Sequence, residues 1–252
     1  MHKIRIIGRL DIKNEYVIKG IHLEGLRKIG NPNTLAKKYY DEGIDEIIFM
    51  DAVASLYGRN NLFHIIEKAC REIFIPITIG GGIRSVEDIE LALKSGADKI
   101  TLNTAAIKNP SIIKEASRIY GSQCIVGSIE AKRNENSWEA YIDNGREKTG
   151  IDAIVWAGQL EDLGIGELCV TSIDKEGTKK GFDIELISAI CNKVNVPVIA
   201  SGGAGNSNDI IELCKTNVHV NAVAIASMLH YNLESLKDVR QNLLHHNIIC
   251  RN

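Results

Sequence analysis

IPITIGGGIRSVEDIELALKSGADKITLNTAA, residues 75–106, returns later in the chain as VPVIASGGAGNSNDIIELCKTNVHVNAVAIASM, residues 196–228. The two stretches align at a constant offset of 121 residues, until a small insertion near Asn217–Asn221 brings Thr104 opposite Ser227. Self-similarity at a fixed offset indicates that one structural unit is used twice. The sequence therefore predicts a protein made of two related halves.

Shorter matches extend this repeat toward the start of each half. EGIDEIIF matches LGIGELCV, which places Glu46 opposite Glu167. RLDIKNE resembles SIEAKRN, which places Asp11 opposite Glu130. The repeat therefore covers most of the chain.

Short β-branched runs alternate with amphipathic helical stretches from end to end, and eight such units predict a closed barrel of parallel strands. The predicted strands are Ile4–Asp11, Glu46–Asp51, Pro76–Gly80, Asp98–Asn103, Cys124–Glu130, Glu167–Ile173, Pro197–Ser201 and Ala222–Ala226. The predicted helices lie near residues 33–43, 60–72, 85–95, 109–120, 152–163, 182–193, 206–216 and 232–244, with Asn33, Ser85 and Asn206 as N-caps. The expected fold is an α/β protein, a single (β/α)8 TIM barrel with a twofold half-barrel repeat and one domain over residues 1–252.

The composition argues against several classes of partner. The 252 residues are 44% hydrophobic and 25% charged, with a formal net charge of −2 and both signs interspersed, so we expect no nucleic acid and no membrane as partners. The six cysteines form no C-x-x-C pair, and no His lies at metal-ligand spacing, so we expect a reduced protein without metal or cofactor. The N-terminus has no apolar run typical of a signal peptide, which favours a cytoplasmic location.

Two glycine-rich turns carry the first functional signal. Gly80–Gly82 and Gly202–Gly205 follow the predicted third and seventh strands, where glycine lets backbone N–H groups approach an anion. A helix N-terminus follows each turn and favours negative charge. The next strands end at Asn103-Thr104 and Ala226-Ser227, which add polar donors. Such turns can also serve only to bend the chain, but their repetition favours a ligand with two phosphates.

Asp11 and Glu130 end the first and fifth predicted strands and should face each other across the barrel mouth. Two carboxylates that flank a substrate can act as general acid and general base. The alternative is that these acids only cap loops or pair with Lys13 or Lys19. The long connection Ile12–Pro32 is typical of a lid, in which Lys19 would be either a substrate contact or a solvated charge.

Four charged residues lie near the starts of strands, at the opposite end of the predicted barrel. Charges near a barrel axis must pair, because an unpaired charge at low dielectric costs several kcal/mol. The ring is therefore either a self-satisfied plug or a gate to a passage through the core. Its members are Arg5, Glu46, Lys99 and Glu167.

Strand-end motifs recur in order along essentially the whole sequence, in the segments RIIGRLDIK, YVIKG, DEIIFMDAVAS, TIGGGIRS, GADKITLNTAA, GSQCIV, TSIDKEGTKKGFD, VIASGGAG and AIASMLH. Through these segments the sequence resembles the cyclase-subunit family of imidazole glycerol phosphate synthase, an enzyme of histidine biosynthesis.

This resemblance implies a lyase that receives ammonia from a glutaminase subunit, docked on the bottom face as a heterodimer. The ammonia would react with a bisphosphorylated ribulosyl formimino carboxamide ribotide, giving imidazole glycerol phosphate and an aminoimidazole carboxamide ribotide. The resemblance implies Asp11 and Glu130 as catalytic residues, the charged ring as the ammonia gate and Asp98 as part of the partner interface. The implied contacts to substrate and phosphate are Lys19, Gly82, Asn103, Thr104, Asp174, Gly177, Ser201, Gly203, Ala226 and Ser227.

The sequence departs from the family's pattern at the mouth. Glu130 stands where the family has a second catalytic Asp, and a carboxylate displaced by roughly 1 Å can cost ~10²-fold in rate. Arg9 replaces a Cys, Glu176 replaces an Asp, and Glu15-Tyr16 replaces a Gly-Arg pair. The residues of the implied ammonia route match the family.

These departures leave two rivals to the cyclase. The first is a paralogue from a sugar-amidation or surface-polysaccharide pathway that relays ammonia from a glutaminase, with weak or no cyclase activity. The second is the sister phosphoribosyl isomerase, which shares the half-barrel repeat. The charged ring and the NTAA segment argue against the isomerase.

Overall fold

The computed structural model describes residues 3–54, 62–216 and 220–251. Eight parallel strands follow one another around a ring, and pairing of the tenth strand of the chain with the seventh closes it. The predicted TIM barrel is therefore confirmed. Its eight strands are β1 (Lys3–Lys13), β4 (Glu46–Asp51), β5 (Ile77–Gly80), β6 (Lys99–Leu102), β7 (Ile125–Arg133), β10 (Glu167–Ser172), β11 (Val198–Ser201) and β12 (Ala222–Ile225).

Helices pack around this ring and bury the main hydrophobic core between themselves and the strands. Short helices also follow the fourth and eighth barrel strands, β6 and β12. The predicted helix near 60–72 begins outside the described residues, and part of the insertion near Asn217–Asn221 also lies outside them. The described helices are α1 (Pro32–Asp41), α2 (Phe63–Ala69), α3 (Val86–Lys94), α4 (Thr104–Lys108), α5 (Ser111–Tyr120), α6 (Ala153–Leu163), α7 (Ile184–Cys191), α8 (Ser207–Lys215), α9 (Ser227–His230) and α10 (Leu236–His245).

The first and fifth barrel strands continue beyond the barrel into hairpins. β1 pairs antiparallel with β2 (Tyr16–Ile21), which pairs with β3 (Glu24–Gly30), so the long connection after the first strand is a hairpin. β7 pairs in the same way with β8 (Trp138–Ile142), and β8 with β9 (Glu147–Asp152). This second hairpin, which we did not predict, extends the twofold repeat to the loops above the mouth. A short strand, β13 (Ile249–Cys250), adds to the start of β1.

Strand register confirms the alignment of the two halves. Ile7 of β1 lies opposite Glu46, and Val126 of β7 lies opposite Glu167. Counting four residues along β1 and β7 from these positions reaches Asp11 and Glu130. The two acids therefore occupy equivalent positions, and by the same register Arg9 is equivalent to Ser128.

The helix caps repeat as well. Ser85 and Asn206 are the N-caps of α3 and α8, and each forms a capping box with an aspartate, Asp88 or Asp209, three residues on. The prediction for α1 was wrong by two residues. Asn31 is the cap of α1, since its side chain accepts hydrogen bonds from the backbone of residues 33 and 34. Pro32 can then occupy the first helical turn, where its missing N–H has no cost.

No helix in the described ranges has both the length and the apolar character needed to cross a membrane.

Candidate active site

Asp11 lies in a buried network of alternating charges at the barrel mouth. Its Oδ1 accepts a hydrogen bond of 2.9 Å from Arg9 Nε, and its Oδ2 lies 3.7 Å from Lys19 Nζ. Lys19, carried by the first hairpin, also pairs with Glu176 from the connection after β10. All four side chains are 8% exposed or less, so water screens these charges weakly.

This network determines the charge of Asp11. Burial alone would raise the pKa of the carboxyl, but the charges of Arg9 and Lys19 more than offset that effect, and the pKa lies below its ordinary value. Burial disfavours the charged form of Arg9, yet Asp11 and Glu176 raise its pKa above the ordinary value. Asp11 is therefore an ionised carboxylate at neutral pH.

Arg9 also connects three barrel strands. Its Nη1 donates to Thr171 Oγ1 of β10 at 2.8 Å and to Ser201 Oγ of β11 at 3.3 Å. Its Nη2 has no hydrogen-bond partner among the residues that the structure describes. The guanidinium is thus fixed beneath the mouth, and Nη2 is its one nitrogen without a hydrogen bond to the described residues.

Glu130 occupies the equivalent position in the second half but has neutral partners. Its Oε2 accepts hydrogen bonds from Asn103 Nδ2 at 3.1 Å and from the backbone N–H of Gly145, in the second hairpin, at 2.8 Å. Burial raises the pKa of Glu130 to about 7, against the opposing effects of the Arg9 charge and the Gly145 N–H, and the nearby charge of Asp11 adds to the rise. Near neutral pH Glu130 can therefore carry a proton and give it up.

Two pockets lie beside these groups, one lined by Glu130 and the other by Arg9 and Lys19, and the predicted phosphate contacts divide between them. One pocket, of about 230 Å³, contains Gly82, Asn103 and Thr104 together with Glu130. Arg84 and Lys108 add positive charge at its edge. The structure thus brings together three of the predicted contacts, Gly82, Asn103 and Thr104.

The second pocket is nearly filled, with a volume of about 10 Å³. Gly203 has φ +105°, and a Cβ there would lie 2.0 Å from the carbonyl oxygen of Gly181, so only glycine fits this turn. The charged side chains of the Asp11 network, Arg9 and Lys19, also border the pocket. The predicted residues that line it are Lys19, Gly177, Ser201, Gly203, Ala226 and Ser227.

Asp174 is a predicted contact that the structure leaves apart from the residues lining these two pockets. Its Oδ2 accepts a hydrogen bond of 2.8 Å from the backbone N–H of Arg133, at the end of β7. Two other predicted contacts already have protein partners. Thr104 Oγ1 accepts from the N–H of Asp143, and Ser201 accepts from Arg9.

The charged ring at the opposite end of the barrel is complete. Arg5 donates to Glu46 at 2.7 Å and also pairs with Glu167, while Lys99 contacts the same two carboxylates at 3.1 and 2.9 Å. Burial works against the charge of Arg5, but Glu167 and Glu46 raise its pKa above the ordinary value. The two cations and two anions therefore neutralise one another across the axis.

An apolar layer separates this ring from the mouth. It is built by inward-facing side chains that follow the ring residues along the strands. Asp98 lies outside the axis, exposed on the same end of the barrel as the ring, and its Oδ2 accepts a hydrogen bond of 2.8 Å from the N–H of Ile77. The layer consists of Ile7, Ile48, Val126, Cys169, Ile199, Ala222 and Ala224.

Some functional contacts were missed from the sequence. Arg9 and Glu176 were noticed only as departures from a pattern, although they pair with Asp11 and Lys19. Lys19 is 4% exposed, which excludes the solvated charge we had weighed. His230 is the last residue of α9, and its Nδ1 lies 2.7 Å from Tyr39 Oη. Burial lowers the pKa of His230 to about 4, so this imidazole is neutral.

No group of three or more His, Cys, Asp or Glu within the described ranges is arranged to hold a metal ion.

Comparison with known proteins identifies the family that shares this architecture. Residues 5–234 match the family described as histidine biosynthesis protein. A relative from Legionella pneumophila, "Imidazole glycerol phosphate synthase subunit HisF", is 58% identical over 206 residues, which cover 81% of this chain and 97% of that protein. The chain belongs to this family.

Relatives that match nearly the full chain carry the same name. The protein from Lactococcus lactis subsp. cremoris (strain SK11) is 47% identical over 249 residues, covering 98% of this chain and 96% of the relative. The protein from Bacillus cereus (strain AH187) is 44% identical over 248 residues, covering 98% of each. The match therefore extends over both halves of the barrel and includes the mouth and the charged ring.

Proposed function

We propose that this chain is the cyclase subunit of imidazole glycerol phosphate synthase and acts as a lyase in histidine biosynthesis. The observation that carries the proposal is a pair of equivalent acids in a chain matching HisF subunits almost end to end. Glu130 lines one glycine-rich pocket, and Arg9 and Lys19, the partners of Asp11, line the other. The proposed substrates are ammonia and a ribulosyl formimino carboxamide ribotide with two phosphates. The products are imidazole glycerol phosphate and an aminoimidazole carboxamide ribotide.

The two pockets support a substrate with a phosphate at each end. Each pocket is built from a glycine turn, a following helix N-terminus and a polar residue at the end of the next strand, and backbone N–H groups in such a setting favour anions. The proposed ligands are Gly82, Asn103 and Thr104 on one side, and Gly177, Gly203 and Ser227 on the other. Lys19 adds a charge between Asp11 and the second pocket. Asp174 would contact the substrate only after its loop moves, because in this structure its carboxylate accepts a hydrogen bond from the backbone N–H of Arg133.

The barrel axis supports delivery of ammonia from a partner. Arg5, Glu46, Lys99 and Glu167 form the proposed gate, and exposed Asp98 beside it is the proposed contact for a glutaminase subunit in a heterodimer. The apolar layer beyond the gate favours neutral ammonia over ammonium, because an unpaired charge there would lose its hydration. Passage would need the ring to open, since its ion pairs close the axis in this structure.

A steady-state assay with the ribulosyl ribotide tests the proposal. Purified chain and ammonium salt should give both products, and addition of a glutaminase subunit should allow glutamine to replace the salt. The matched variant Asp98→Asn should lower only the glutamine-driven rate. Failure of the wild-type chain to form products from ammonium salt, with glutaminase binding intact, would contradict the cyclase and favour an ammonia relay. Loss of both turnover and glutaminase binding would favour the isomerase.

A further inference from the structure

The two acids of the mouth occupy equivalent positions but have different electrostatic surroundings. Two residues before Asp11, on the same face of its strand, lies Arg9, which is 2% exposed and bonded to that acid. Two residues before Glu130 lies Ser128, which carries no charge. The halves thus differ at this one inward position by a permanent cation.

We propose that Arg9 is the positioning residue that assigns the two proton-transfer roles, holding Asp11 as the proton acceptor and leaving Glu130 as the proton donor. The inference rests on the proposed function and deepens it. Arg9 itself is fixed by hydrogen bonds from β1 to β10 and β11, so its charge cannot turn away from Asp11 without breaking them. Glu130 has no salt bridge to any residue in the described ranges.

The charged groups that face each acid favour this assignment. Asp11 faces Arg9 on its own strand, Lys19 on β2 and neutral His230 on α9, while Glu176 is the anion that shares Lys19. These contacts stabilise the carboxylate form of Asp11.

Glu130 faces a different set of charges. Asp11 lies across the mouth, and Asp143 lies in the turn of the second hairpin, 3.7 Å from exposed Lys108. Both anions disfavour a charge on Glu130, whereas Arg9 acts on it only through space and in the opposite direction. Burial dominates, and Glu130 holds its proton to about pH 7.

The assignment gives a balanced first step. As the nitrogen of ammonia bonds to the ketone carbon of the ribulosyl group, one N–H proton passes to the Asp11 carboxylate. The carbonyl π bond breaks toward oxygen, which takes the proton of Glu130 and becomes a hydroxyl. Asp11 is then protonated and Glu130 ionised, so loss of that hydroxyl as water, with the transfers reversed, resets both acids.

A pH–rate profile of kcat with ammonium salt, at a fixed concentration of un-ionised ammonia, tests the role of Arg9. The wild-type rate should fall as pH rises through about 7, because Glu130 then loses its proton. Arg9→Met should lower kcat on the order of 10²-fold and move the acidic limb upward by about one pH unit or more, because Asp11 loses its main counter-charge. The alkaline limb should also move upward, since Arg9 lowers the pKa of Glu130.

Two further variants separate charge from structure. Arg9→Lys keeps the charge without the planar fork, so it should return the acidic limb toward its wild-type position with partial recovery of kcat. Thr171→Val removes a hydrogen bond from Arg9 without changing any charge, so it should leave both limbs in place. If Arg9→Met lowers the rate while both limbs stay unmoved, Arg9 is only structural and the inference is wrong.

Carboxyl ¹³C NMR of the wild-type protein gives a readout that requires no turnover. With signals assigned through Asp11→Asn and Glu130→Gln, Asp11 should titrate below the ordinary range of an aspartate and Glu130 near pH 7. The opposite order would overturn the inference even if the protein is an active cyclase. Absence of wild-type turnover with the expected titrations would instead contradict the proposed function alone.

Discussion

The two halves of this barrel share the same backbone arrangement but surround their equivalent acids with different side chains. β1 with its hairpin and β7 with its hairpin place Asp11 and Glu130 at equivalent points of the mouth. Asp11 enters a network of buried ion pairs, whereas Glu130 is held by an amide side chain and a backbone N–H. The difference shows that strand register fixes where a carboxylate lies, while its neighbours fix whether it carries a proton.

The two halves also differ in the charged side chains that they supply along the barrel axis. The cations of the charged ring and of the mouth, Arg5, Arg9, Lys19 and Lys99, all come from the first half of the chain. Two of their anionic partners, Glu167 and Glu176, come from the second half. The halves are therefore joined by electrostatic contacts that a symmetric pair of half-barrels would lack.

The largest effect is expected where the comparison bears on catalysis. Asp11→Asn removes the proposed proton acceptor, and positioned acid–base groups contribute roughly 10²- to 10⁴-fold to rate, so we expect kcat to fall by that factor. The measurement is turnover of the ribulosyl ribotide with ammonium salt. Asp41→Asn, at the mostly exposed end of α1, is the matched control and should leave kcat unchanged. If the kcat of Asp11→Asn lies within tenfold of the wild-type kcat, Asp11 is not the proton acceptor and the proposed functional difference between the two acids is wrong.

A second prediction concerns the ring that joins the halves. Arg5→Met leaves Glu46 and Glu167 with Lys99 as their remaining close partner, and breaking a buried pair leaves an uncompensated charge. We expect the free energy of unfolding to fall by about 3 kcal/mol, as measured by urea denaturation.

The control for this loss is Arg251→Met. Its guanidinium lies 3.9 Å from Glu46 but is more than half exposed, so stability should change by less than about 0.5 kcal/mol. Equal losses in the two variants would indicate that the ring contributes no more than a surface ion pair.

Asp11 and Glu130 should also have opposite effects on the free energy of unfolding as pH rises. The folded-state pKa of Glu130, about 7, exceeds its ordinary value of 4.5, so the stability it contributes is complete below pH 4.5 and is lost as pH rises to 7. Glu130→Gln, which cannot ionise, should therefore become more stable than wild type as pH rises through this window, by up to about 3 kcal/mol at pH 8.

Asp11→Asn gives the contrasting measurement. The pKa of Asp11 is lowered by folding, so its contribution is present above the ordinary pKa and lost at acid pH, and the variant should be less stable than wild type at neutral pH. Urea midpoints at pH 5 and pH 8 test both variants. Stability changes of the same sign at pH 8 would contradict the different environments assigned to the two acids.

The sequence was enough to predict the barrel, its repeat and the two acids, because these follow from patterns local to each strand end. The partners of Arg9 could not be predicted, since they lie on β10 and β11 and meet only when the barrel closes. The burial of Lys19 likewise depends on the first hairpin folding over the mouth toward Glu176. The second hairpin was missed because its last strand, β9, with exposed residues such as Glu147 and Lys148, lacks the apolar run that marks the barrel strands.

The smallest expected effect tests whether the repeat extends to local stability. Ser85→Ala and Asn206→Ala each remove an N-cap from a capping box at equivalent positions, and loss of such a cap costs about 1 kcal/mol. We expect the two losses in urea denaturation to agree within about 0.5 kcal/mol. Ser95→Ala, at the C-terminal end of α3, controls for loss of a hydroxyl that only bonds the carbonyl of Leu91, and it should change stability less. A loss of stability in only one of the two variants would show that the halves differ in helix stability as well as in charge. The same capping geometry would then contribute different free energies in the two halves.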